Sequence, residues 1–164
     1  MTTLRVYDLN DHVLALDLRD LLRLLAPRSL EACWVVSTVK SSKPGHEWFE
    51  ATGEGGERLE GLAQDDGQLS GSDLAALAEN TRQVIWGEFV GSAHTQPDKP
   101  WVIIRAVDST FYEIESDDEA VLNKISSTYE DVRIGEGSDD VMALGPCRRM
   151  MAARRERQPE QGMP

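Results

Sequence analysis

The chain has 164 residues, of which 28% are charged and 40% hydrophobic, and its formal net charge is -12. This length fits one domain or one domain with a tail, and the apolar content is sufficient for a core, which argues against a wholly disordered chain. The negative charge argues against nucleic-acid binding by the body and against docking on an anionic membrane, because both need a positive surface.

The first residues and the cysteines indicate a compartment. Residues 1–10 contain no apolar run behind a basic start, so we expect no signal peptide. No stretch approaches the roughly 20 consecutive apolar residues of a membrane helix. Cys33 and Cys147 lie far apart without zinc-ligand spacing, and Cys33 is predicted to be a small buried residue of an apolar segment. We therefore expect a reduced, cytoplasmic protein without a metal or cofactor.

The net charge is unevenly distributed along the chain. Residues 1–134 carry twelve basic and twenty-four acidic side chains, whereas residues 135–164 carry five of each. We therefore predict a single domain over residues 1–134 and a C-terminal tail over residues 135–164, acidic first and then arginine-rich. The basic residues of the tail are Arg148, Arg149, Arg154, Arg155 and Arg157. They leave no apolar stripe on a helix, so we expect a tail that is mobile or docked on an acidic surface of its own body or of a second copy. A basic arm for nucleic acid is the third interpretation, because the acidic body would repel the phosphates.

The first third of the domain predicts a hairpin, a helix and a second hairpin. Short strands are predicted over residues 4–9 and 12–16, and leucines at helical spacing predict a helix over residues 17–25. The β-branched and aromatic run at residues 32–39 predicts a strand that a turn connects to a second strand at residues 47–52.

Glycines and serines mark the next segments. The three glycines of residues 53–58 predict a flexible loop. A helix is predicted over residues 69–80, capped by Ser70 or Ser72.

Three strands and a final helix complete the predicted domain. The strands are predicted over residues 83–90, 101–107 and 110–115, with a tight turn at Asp108-Ser109. Ser116 and Glu119 have the spacing of a capping box, which predicts a helix start. The apolar face of this helix is predicted to hold Val121, Leu122, Ile125 and Tyr129. The predicted class is α+β, a mainly antiparallel sheet of about five strands with two or three helices packed on one face.

Established catalytic and metal-binding patterns are absent from the sequence. His12, His46 and His94 have no histidine or cysteine at metal-ligand spacing, and the glycines at 53–56 lack the lysine of a phosphate-binding loop. The most enzyme-like set is Glu88, Asp108 and Glu113, on or beside three consecutive strands. Glu88 in an apolar strand suggests a general base, but a cross-strand ion pair with Arg105 explains both residues and is the simpler interpretation.

Two groups of carboxylates are candidates for contact with a basic partner. The first group comprises Glu113, Glu115, Asp117, Asp118 and Glu119, and the second comprises Asp65 and Asp66 with Glu57 and Glu60. A solvated face that keeps the chain soluble is the simpler interpretation of both groups. As a recognition surface, either group would speed association with a basic protein and help to select it.

Three functions remain open from the sequence. The first is a small acidic protein of the immunity or inhibitor type that caps a basic partner, such as a bacterial toxin or nuclease. The second is a hydrolase-like or acid–base enzyme that uses Glu88, Asp108 and Glu113. The third is an assembly subunit, a homo-oligomer tethered through its arginine-rich tail.

Overall fold

The structure is a computed structural model that describes residues 1–40 and 46–135. Its helices are α1 (Leu18–Leu24), α2 (Arg28–Glu31), α3 (Glu54–Ala63), α4 (Gly71–Glu79) and α5 (Glu119–Thr128). Its strands are β1 (Thr2–Val6), β2 (Leu9–Asn10), β3 (Val13–Leu14), β4 (Cys33–Ser37), β5 (Val39–Lys40), β6 (Glu47–Trp48), β7 (Glu50–Thr52), β8 (Gly67–Ser70), β9 (Gln83–Ser92), β10 (Pro100–Val107), β11 (Phe111–Ser116) and β12 (Val132–Gly135).

Eight strands form one antiparallel sheet in the order β12-β1-β11-β10-β9-β4-β8, and β7 pairs with the first half of β9. The predicted α+β class and the antiparallel pairing are therefore confirmed. The sheet is wider than the five strands predicted, because β1, β8 and β12 join it as well. These three strands have four or five residues each, and their short segments carry little period-2 pattern.

The main core lies between one face of the sheet and the helices. Four helices contribute buried apolar side chains to it, among them Leu21 of α1, Leu59 of α3, Leu74 of α4 and Ile125 of α5. Trp34 of β4 is fully buried in this core, where its indole N–H donates to the Ser29 carbonyl at 2.9 Å. Three of the four tryptophans, Trp34, Trp86 and Trp101, are buried, and Trp48 is partly exposed.

A second cluster of buried side chains lies on the opposite face of the sheet. It contains Val39, Trp86, Val107 and Phe111, and none of these residues belongs to a helix. Phe111 and its neighbour Tyr112 on β11 belong to different clusters, which places the clusters on opposite faces. We call the face that carries Phe111 the second face.

The segment predicted as a glycine loop is instead the start of α3. Gly55 is buried, and a Cβ atom there would lie 2.1 Å from the Leu77 carbonyl oxygen of α4. Gly56 similarly faces the backbone of Ala51. These glycines allow helix α3 to approach its neighbours closely, so the loop prediction was wrong.

The N-terminal hairpin is smaller than predicted. Only β2 and β3 pair with each other, through a turn in which Asp11 and His12 have φ values of 52° and 68°. Residues 2–6 instead form β1, which lies between β11 and β12 in the main sheet.

The last helix begins two residues later than the capping-box pattern predicts. Asp118 caps α5 by accepting a hydrogen bond from the Ala120 amide at 2.9 Å. Ser116 remains in β11, where its hydroxyl donates to the Trp101 carbonyl at 2.6 Å. The apolar face is as predicted, since Val121 and Ile125 are buried.

Candidate functional site

A row of polar side chains crosses the centre of the second face. Successive partners in the strand register are Arg5 with Glu113, Glu113 with Arg105, Arg105 with Glu88, and Glu88 with Ser37. The corresponding side-chain contacts measure 2.9, 2.8, 2.7 and 3.0 Å. Opposite charges therefore alternate along the row, which we call the charged row.

The charged row is almost entirely removed from water. Glu113 is 0% exposed and the side chains of Arg5 and Arg105 are 6% and 8% exposed. Burial raises the pKa of Glu113, while hydrogen bonds and charge from Arg5 and Arg105 oppose that rise. Burial lowers the pKa of Arg105, but Glu88 and Glu115 more than offset this, and its net pKa shift is upward. The row is therefore a set of paired charges.

This pairing removes the observation that suggested an acid–base enzyme. Glu88 and Glu113 each bond to Arg105, as the cross-strand alternative predicted for Glu88. Asp108 lies in the turn between β10 and β11, where its φ of 51° is left-handed. Thus Glu88 and Glu113 both pair with Arg105, whereas Asp108 lies in the turn after β10 and is not part of the charged row.

The carboxylates after Glu113 are mostly engaged by the fold. Glu115 bonds to Arg105, and Asp117 lies 3.1 Å from the N-terminal ammonium of Met1. Asp118 contacts Arg28 at 2.5 Å, and this hydrogen bond lowers the pKa of Asp118. Glu119, in the first turn of α5, is exposed.

The second group of carboxylates forms an exposed acidic surface on α3 and the turn that follows it. Glu57 and Glu60 are exposed on α3, and Asp65 and Asp66 are exposed in the turn between α3 and β8. We call these four residues the α3 surface. Within residues 1–40 and 46–135, none of the four carboxylates pairs with a cationic side chain.

A groove of about 350 Å³ adjoins the α3 surface. Its lining residues are Arg58, Gly61, Leu62, Asp65, Gly67 and Leu77. Leu62 and Leu77 are half-buried and supply the apolar wall between α3 and α4. The groove therefore places an apolar surface beside the Asp65 carboxylate.

The fold does not bring the two acidic groups together. The turn with Asp65 leads into β8 at one edge of the sheet, whereas Asp117 follows β11. Strands β10, β9 and β4 lie between them, a separation of about 19 Å across the sheet. The two groups are therefore several strand spacings apart rather than adjacent.

Cys33 and His94 are neighbours in space, which their sequence positions do not indicate. Cys33 Sγ lies 2.9 Å from His94 Nδ1, and Cys33 is half-buried, so the prediction of a buried Cys33 was wrong. Cys33 begins β4 opposite Ser92, beside the exposed loop that carries His94, and so lies near the surface. Among the residues that the structure describes, no three metal-ligating side chains cluster.

Sequence reasoning missed a buried acid and the first residue of the charged row. The carboxylate of Asp17 accepts from the Tyr112 hydroxyl at 2.5 Å and from the Val84 amide at 3.2 Å. Burial raises the pKa of both Asp17 and Tyr112. Arg5 was not singled out because its segment was assigned to a local hairpin, which gave it no partner in the sheet.

The structure bears only partly on the predictions about the tail and about membrane helices. The arginines assigned to tail docking, from Arg148 to Arg157, lie outside the described residues. None of the helices within the described ranges is long and apolar enough to cross a membrane.

Comparison with protein-family models, curated proteins and solved structures finds no match to this chain. The chemistry of its own residues is therefore the basis for a proposed function.

Proposed function

We propose that this chain is an acidic protein-binding protein, of the immunity or inhibitor type, that caps a basic partner through the α3 surface. A toxin or nuclease in a bacterial cytoplasm is the kind of partner that fits. The supporting observation is that the carboxylates of the α3 surface are exposed and pair with no cation in the described part of the chain.

The contrast with the other carboxylates favours the α3 surface over the group at residues 113–119. Glu113 and Glu115 form ion pairs with Arg105. Asp118 forms an ion pair with Arg28 and caps the start of α5. A carboxylate with a fixed internal partner contributes less to binding, because a new cation must first displace that partner. Within residues 1–40 and 46–135, Asp65 and Asp66 have no such partner to lose.

The charge of the α3 segment also suits a basic partner. Residues 54–66 contain five carboxylates and one cation, Arg58. Such a concentration of one sign attracts an oppositely charged protein over about 10 Å at about 0.1 M salt, and further at lower salt, and it raises the association rate. The groove beside Asp65 supplies the apolar contact that charge alone does not provide.

A capture experiment with two charge-matched variants tests this proposal. The first variant neutralises the α3 surface with Glu57→Gln, Glu60→Gln, Asp65→Asn and Asp66→Asn. The second removes the same charge elsewhere, at exposed positions, with Asp11→Asn, Glu47→Gln, Asp98→Asn and Glu130→Gln. Each is compared with the full-length wild-type protein as bait in extract of its own cells at about 50 mM and about 500 mM salt.

We expect the wild-type chain and the second variant to retain the same basic protein at low salt and to release it at high salt. The first variant should retain little of it, although its net charge equals that of the second. Equal retention by the two variants would contradict binding through the α3 surface. Retention of no basic protein by the wild type would remove the proposal altogether.

A further inference from the structure

The groove between α3 and α4 combines an apolar wall with a carboxylate at its rim. Leu62 and Leu77 form the wall, and both are half-buried and packed against the main core. Asp65 lines the same groove and is exposed, so its carboxylate can be reached from solvent. A volume of about 350 Å³ is at the small end of the range for ligand sites, which suits one long side chain.

We infer that this groove takes an arginine side chain of the basic partner. The aliphatic stem of the arginine lies along Leu62 and Leu77, and its guanidinium group donates two hydrogen bonds to the Asp65 carboxylate. This inference rests on the proposed function and names the anchoring contact of the same surface. Arginine is a frequent anchor in protein interfaces, because its guanidinium is weakly hydrated and binds a carboxylate in a planar, two-bond geometry.

Among the residues that the structure describes, Arg58 is the one cation that lines the groove, and its charge opposes the binding of an arginine. Its neighbours in the α3 segment are Glu54, Glu57 and Glu60, so the local charge remains negative with Arg58 present. The excess of carboxylates selects a cationic occupant over an acidic one. An apolar side chain would contact the wall but would form no ion pair with the Asp65 carboxylate.

Two pairs of matched variants test the site in the full-length chain. Asp65→Asn and Asp66→Asn each remove one charge from adjacent exposed positions, but only Asp65 lines the groove. Gly61 also lines the groove, and a Cβ atom there meets nothing within 4 Å. Gly61→Gln therefore adds a long side chain at the lining of the groove without a clash, whereas Gly61→Ala adds only a methyl group.

The probe is fluorescein-labelled hexa-arginine, compared with hexa-lysine, in fluorescence anisotropy titrations at about 50 mM salt. We expect Asp65→Asn and Gly61→Gln each to weaken hexa-arginine binding by about tenfold, and Asp66→Asn and Gly61→Ala by less than about threefold. Hexa-lysine should bind the wild type several-fold more weakly than hexa-arginine does.

Equal losses for Asp65→Asn and Asp66→Asn, or unchanged binding by Gly61→Gln, would overturn the groove as the arginine site. Equal affinity for the two peptides would overturn the preference for arginine. The proposed function would survive these results if the charge-matched capture experiment still separates its two variants. Loss of that separation would instead remove the proposed function.

Discussion

Glu113 is the residue on which the charged row depends. It is fully buried and accepts from both Arg5 and Arg105. Glu113→Gln would leave two buried guanidinium groups facing a neutral amide, and we expect a loss of about 3 kcal/mol in the free energy of unfolding. Urea denaturation at neutral pH measures this loss.

Glu88 provides the comparison within the same row. Its side chain is 21% exposed, and Arg105 keeps contacts with Glu113 and Glu115 when Glu88 is neutralised. Glu88→Gln should therefore cost only about 1 kcal/mol. Equal costs for the two substitutions would show that the burial of Glu113 does not control the stability of the row.

Asp17 predicts a pH dependence of stability. Burial raises its pKa in the folded protein above the ordinary value of 3.8. A group with a raised folded-state pKa contributes stability that is complete below its unfolded-state pKa and is lost as the pH rises through the folded-state pKa. The stability of the wild type relative to Asp17→Asn should therefore fall as the pH rises above about 4.

Denaturation of both proteins between about pH 3 and pH 8 measures this difference, because the other titrating groups cancel in the comparison. Asp11→Asn is the control, since Asp11 is exposed and its left-handed turn position suits asparagine. This control removes one carboxylate of the same type from an exposed position. A constant difference between wild type and Asp17→Asn would contradict a raised pKa for Asp17.

At the residue scale, a side-chain contact can be predicted from the sequence only where the strands that carry both residues are predicted correctly. The pair between Glu88 and Arg105 was predictable because each is an isolated charge in an apolar strand and their strands are joined directly. The contact between Arg5 and Glu113 was not predictable, because β1 pairs with β11 across more than a hundred residues. No local pattern records that pairing.

Helix α3 shows how the same residue type can have opposite effects within one element. Gly61→Ala should stabilise the protein by about 0.5–1 kcal/mol, because its Cβ atom enters open space and alanine favours helix. Gly55→Ala should destabilise it by about 2–3 kcal/mol, because its Cβ atom would lie 2.1 Å from the Leu77 carbonyl oxygen.

Thermal or urea unfolding of the two variants beside the wild type decides this point. Stabilisation by both substitutions would mean that α3 and α4 do not approach each other as closely as the structure shows. Destabilisation by both would mean that residue 61 is not at an open helical position.

At the element scale, segments with a clear apolar pattern were predicted best. The strands β9, β10 and β11 and the helix α4 closely follow their predicted ranges, because apolar periodicity extends over their whole length. Helix α3 was missed because glycine density favours a loop when only local sequence is considered. Close packing of helices also selects glycine, and that cause is visible only in the tertiary structure.

For the whole molecule, the sequence located the charge along the chain but not across the surface. The sequence gives only the number of carboxylates in residues 1–134, whereas the structure shows what these carboxylates contact. Those of the charged row are internal, those near α5 serve the helix start and neighbouring cations, and those of the α3 surface face solvent. This last group is the one that we propose contacts the partner.

The central claim is that the α3 surface contacts the basic partner, and zero-length cross-linking of the captured complex tests it most directly. A carbodiimide joins a carboxylate to a partner lysine only at salt-bridge distance, and mass spectrometry identifies the joined residues. We predict that cross-links concentrate on Glu57, Glu60, Asp65 and Asp66. Cross-links concentrated instead on Asp117 and Glu119, with none on the α3 surface, would contradict the account.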